Sequence, residues 1–192
     1  MIVWSWPSDR TFHRPRRDVH AKIARSEVES YLLAALVRRL SPATRVGMIG
    51  YSLGARTIGG ALRLLDGESY AGRALPAETP RKRAPMRIAL VAAAMDQDAL
   101  CGDDGDLPPW RGVERLLLIQ NSLDRILRWY PRLNRGRGPS ALGYAGPACC
   151  PLPPEQFELL DVTGQVGREH AWRYYVAAPQ LQERLAWCAF LE

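Results

Sequence analysis

Gly50-Tyr51-Ser52-Leu53-Gly54 has the form G-x-S-x-G. It follows a short apolar run, residues 45–50 (RVGMIG), and opens a helical pattern over residues 53–65. A serine at a sharp turn from strand to helix is held above the end of a sheet, where its hydroxyl is exposed. Small residues two before and two after it, Gly50 and Gly54, let the chain turn tightly while the serine backbone carries strain. The first helical N–H, that of Leu53, then points to where an oxyanion would form. A plainer reading makes Ser52 an ordinary helix cap and gives the glycines to packing. The order of the flanking residues 48–56 argues for the nucleophile.

A serine hydroxyl needs a base, and the base needs an orienting acid. The chain has three histidines. His13 and His20 lie in and beside a basic loop near the start, whereas His170 lies beyond the last strand pattern, which ends at Val162. A loop there reaches back over the sheet end that carries Ser52, so His170 is the expected base. Asp124 and Asp96 each follow a strand pattern, residues 116–120 and 88–94, and both can project at that same end. Asp124 follows the strand nearer the histidine and is the expected acid. Asp96 is the alternative acid, with the capping of a local turn before Gln97 and Asp98 as its plainer role.

These positions require elements to hold them. Residues 2–6 are short, apolar and aromatic, and read as a strand cut by Pro7. A helix is expected from about residue 19 to 40, with Val28, Leu32, Leu36 and Leu40 on one apolar face beside Tyr31 and Ala35. Strands are expected at 45–50, 87–94, 114–120 and 156–162, a helix at 53–65, a short helix at 124–130 and a last helix at 179–191. The Gly59-Gly60 pair weakens the second helix unless it lies close against a sheet. In the last helix Leu181, Leu185 and Cys188 share a side. Alternating strands and covering segments predict one α/β domain over residues 1–192, with a mostly parallel sheet of about five strands between helices in a three-layer sandwich.

The composition of the 192 residues narrows the function classes. The chain is 47% hydrophobic and 24% charged, as in folded globular proteins. It contains no apolar run long enough for a transmembrane helix, and no leader pattern at its start, which sets the expectation of a cytoplasmic protein. The net charge is +6, with arginine supplying all but two of the basic residues. A uniformly arginine-rich composition explains this without nucleic acid as a primary partner. Cys101, Cys149, Cys150 and Cys188 show neither zinc spacing nor a disulfide framework, so reduced thiols are expected, with a disulfide from Cys149 or Cys150 left open. Asp103, Asp104 and Asp106 do not match a calcium loop; no metal is expected. The arginines at 125, 128, 132, 135 and 137 read as a solvated surface or as partners of an acidic substrate. The six tryptophans read as packing, with Trp172 and Tyr174 near His170 as candidate walls of an acyl pocket.

The sequence resembles the alpha/beta-hydrolase superfamily, and within it a group of poorly characterised bacterial serine-hydrolase-like proteins of esterase and lipase type. The resemblance rests on residues 3–8 (VWSWPS), on 50–56, on 90–94 followed by Met95-Asp96, on 121–125 (NSLDR), and on 161–164 upstream of His170. It implies a nucleophile elbow at Ser52 and a catalytic triad with Asp124 and His170. The implied reaction is hydrolysis of a small-molecule ester or similar acyl substrate, without cofactor. It also implies that strands preceding residue 2 in such proteins are missing, so that the domain is partial and truncated at its N-terminal side. A loop carrying the second oxyanion N–H would be missing with them, and one such donor is worth roughly 3 kcal/mol. The alternative expectation is a non-catalytic, degenerate hydrolase-like domain with a structural or interaction role.

Overall fold

The computed structural model describes residues 1–7, 9, 12–77, 83–101, 110, 112–134, 138–149 and 153–190. The elements run α1 (Pro15–Val37), β1 (Val46–Tyr51), α2 (Leu53–Leu65), β2 (Met86–Val91), β3 (Val113–Gln120), a 3₁₀ helix (Leu127–Asn134), α3 (Leu142–Ala145), β4 (Phe157–Asp161), α4 (Thr163–Val166), α5 (Trp172–Val176) and α6 (Pro179–Cys188). The strands form one parallel sheet in chain order, β1-β2-β3-β4. Parallel strands need cover on both faces, and alternate side chains supply it. Ile88, Leu90, Leu116 and Leu118 pack with Ala55, Ile58 and Leu62 of α2. Ala89, Val91, Leu117 and Ile119 pack with Leu181, Leu185 and Cys188 of α6. The shared side of α6 is therefore a core face, as its spacing indicates.

Residues 2–6 do not form a strand, and the sheet among the described residues has four strands rather than about five. A β-prone segment becomes a strand only where an edge accepts its backbone. This one runs along α1 instead. Trp4 Nε1 donates to Glu29 at 3.0 Å, and the Pro7 carbonyl accepts from Arg25 at 2.9 Å.

α1 begins at Pro15, earlier than expected, and its apolar stripe does not face the core. Val28, Leu32 and Leu36 are exposed, while Ser26, Ser30, Ala34 and Val37 are buried. The reason is close approach between α1 and α2. An ideal Cβ on Gly60 would stand 2.6 Å from Ser30 Oγ, so only small residues fit on both sides. The two serine hydroxyls are buried without penalty because each donates to a carbonyl of its own helix, Ile23 at 2.7 Å and Ser26 at 2.9 Å.

The short helix expected at 124–130 is a 3₁₀ helix shifted to Leu127–Asn134. Cys101 and Cys149 form a disulfide, so the possibility left open for Cys149 holds and the expectation of reduced thiols is corrected for this pair. Cys188 remains a buried thiol whose pKa burial pushes up to about 11. Cys150, the Asp103–Asp106 acidic cluster, Arg135 and Arg137 lie outside the described residues. Among those described, no helix is long and apolar enough to cross a membrane.

Candidate active site

Three parallel strands end at the same edge of the sheet, and a candidate side chain follows each. Ser52 comes one residue after β1, Asp124 four after β3, and His170 nine after β4. Chain direction alone therefore brings their loops together.

Ser52 has φ 53° and ψ −117°, a conformation that side chains rarely adopt. Backbone bonds hold it there. Its N–H donates to the Val91 carbonyl at 2.9 Å, and its own carbonyl accepts from Ala55 and Ala94, both at 3.1 Å. Gly50 is required, because a Cβ there would stand 2.8 Å from Ile58 Cδ1 and 2.9 Å from the Ala55 backbone. Gly54 is not required in the same way. Its Cβ would meet nothing nearer than the Trp6 ring at 4.0 Å, which corrects the expectation that both glycines serve the tight turn. Leu53 opens α2, and N–H groups in a first helical turn have no acceptor within their helix.

His170 Nε2 lies 3.1 Å from Ser52 Oγ, and His170 Nδ1 lies 2.7 Å from Asp124 Oδ2. Asp124 is fully buried, and a buried carboxylate is stable only when its acceptor sites are filled. Here they are. Oδ1 accepts from the N–H groups of Ile126 and Leu127 at 2.9 and 3.0 Å, and Oδ2 accepts from Tyr175 Oη at 2.9 Å as well as from the imidazole. With Nδ1 donating to Asp124, the lone pair of Nε2 faces the serine hydroxyl.

A second layer fixes the imidazole. Tyr51 Oη donates to the His170 carbonyl at 2.6 Å, and Asn121 Nδ2 donates to the Gly167 carbonyl at 2.9 Å. Burial, then the Asp124 charge, pushes the Tyr51 phenol up to about 12 and raises that of Tyr175 as well. Both phenols stay protonated and keep donating. Trp172 packs edge-on against Tyr51, with ring centroids 5.5 Å apart. Of these supports, Asn121 sits in the NSLDR segment that sequence reading singled out without giving it a role. Tyr175 has no local signal, since only the fold brings it to Asp124.

Asp96 stands apart from this chain of bonds. Its Oδ1 accepts from Tyr130 Oη at 2.6 Å, and that phenol accepts from Arg56 at 2.9 Å. The three belong to a separate polar cluster. A cavity of about 490 Å³ beside it is lined by Arg56, Gly60, Arg63, Asp96 and Asp98, and not by Ser52 or His170. Among the described residues no group of three or more ligating side chains converges as a metal site would. The chain matches no protein-family model, no curated protein and no solved structure.

Proposed function

We propose that the protein is a serine hydrolase of the alpha/beta-hydrolase type, acting on a carboxylic ester or similar acyl bond. The observation that supports this best is the hydrogen-bonded chain Ser52–His170–Asp124, whose members lie 118 and 46 residues apart, ending on a serine in a strained turn. An ordinary cap needs neither the strain nor the imidazole.

In this reading Ser52 Oγ attacks the acyl carbon while His170 Nε2 takes its proton. Asp124 keeps its charge and holds the imidazole in one tautomer. The Leu53 N–H stabilises the oxyanion. The imidazolium then returns the proton to the leaving alkoxide, and an acyl group remains on Ser52. A water, deprotonated by the same nitrogen, hydrolyses that ester and restores the hydroxyl.

The test is a fluorophosphonate probe with mass spectrometry of the labelled peptide. The expected result is an adduct on Ser52 and on no other serine, nearly abolished by His170→Ala. A folded protein without an adduct on Ser52 overturns this reading and leaves the non-catalytic domain.

A further inference from the structure

The segment that follows Asp124 has three rows. A 3₁₀ helix has three residues per turn, so side chains three apart eclipse. Leu127 and Tyr130 form one row and are buried in the core. Ile126, Trp129 and Arg132 form the second, and all three are exposed. Arg125 and Arg128 lead the third and are also exposed. Ile126 is 60% and Trp129 58% accessible, and Leu123, three residues before Ile126, is 49% accessible. The inner row fills the core, so this outward row has no place inside. The guanidinium of Arg132 stacks on Trp129 with its central carbon 3.5 Å from the ring centroid. Asp124 is the one acidic residue between 122 and 134, and it is buried against His170.

We propose that Leu123, Ile126 and Trp129, with Arg125, Arg128 and Arg132, form a docking surface for an anionic lipid bilayer. Apolar tips flanked by basic residues enter the headgroup layer to a depth of roughly 5–10 Å, and tryptophan favours that boundary. Arginine stacked on an aromatic face keeps donors free for phosphate. Charge decides the class of partner, because three exposed arginines stand without an exposed acid in the segment. A nucleic-acid strand would want a groove with several stacking faces, and the exposed rows of this segment offer one tryptophan. The surface is also rigidly tied to the candidate site, since the N–H groups of Ile126 and Leu127 both donate to Asp124.

The proposal goes beyond the hydrolase reading and does not need Ser52 to react. The test is co-sedimentation with vesicles of phosphatidylcholine alone and of phosphatidylcholine with about one-third phosphatidylserine. The protein and its Ser52→Ala variant should both bind the anionic vesicles at least about tenfold more tightly than the neutral ones. Ile126→Ser with Trp129→Ser should lower that binding about tenfold or more, and Trp129→Phe alone should keep most of it. Arg128→Gln and Arg132→Gln should each weaken it roughly fivefold. The proposal is overturned if the anionic vesicles are not preferred, if the Ile126/Trp129 variant binds them as well as the parent, or if RNA at equal phosphate displaces them completely. An unchanged thermal melt for the Ile126, Arg128, Trp129 and Arg132 variants, all at exposed positions, separates loss of docking from loss of fold.

Discussion

At the scale of single residues, the two aspartates divide the roles cleanly. Asp124→Asn removes the charge that fixes the tautomer of His170, and a loss of about a thousandfold or more in the rate of Ser52 labelling is expected. Asp96→Asn touches only the Tyr130–Arg56 cluster and should leave the labelling rate unchanged. If the effects are reversed, Asp96 is the acid. The glycines divide as well. Gly50→Ala drives a methyl into Ile58 and the start of α2, and a loss of about 1–3 kcal/mol by urea unfolding is expected. Gly54→Ala adds a methyl at van der Waals distance from the Trp6 ring and should be nearly neutral. The positions of Ser52, Asp124 and His170 were legible because each follows an apolar strand pattern, and parallel strands deliver their ends to one edge. Tyr175 and Tyr51 were not, since a phenol's usefulness depends on which carboxylate or carbonyl the fold sets beside it.

At the scale of elements, the interior strands were readable because burial on both faces leaves continuous apolar runs. α1 was misread because its spacing is apolar on one face while its packing follows size. Ser26, Ser30 and Ala34 let it approach α2, and that closeness outweighs the larger side chains turned outward. Leu32→Gln should therefore leave the denaturation midpoint almost unmoved. Gly60→Ala, which meets Tyr70 and Ser30, should lower the unfolding free energy by about 1–3 kcal/mol. The 48-residue separation of Cys101 and Cys149 gives a second test. Closing a loop of that length is worth about 4 kcal/mol in chain entropy. Cys101→Ser with Cys149→Ser should lower the melting temperature by about 10 °C.

The whole molecule holds several phenols away from water, and alkaline pH reads them together. Burial raises the pKa of Tyr130 as well as those of Tyr51 and Tyr175. In the unfolded chain these groups release protons near pH 10. In the folded chain Tyr51 holds its proton to about 12. Over that interval the unfolded state binds fewer protons, so stability is fully present below pH 10 and falls as pH rises toward 12. Urea midpoints across this range should decline, and Tyr51→Phe should make the decline shallower. A flat profile would mean that the phenols are not buried as described.

The strand order β1-β2-β3-β4 also sets a schedule. Synthesis delivers the strands in the order in which they pair, so each emerges beside a neighbour that is already in place. The serine arrives early and its proton acceptor late, after the last strand has left the ribosome. In the proposed hydrolase, a nascent chain arrested before residue 170 therefore carries the turn at Ser52 without its base, and Ser52 gains that base only once His170 has emerged.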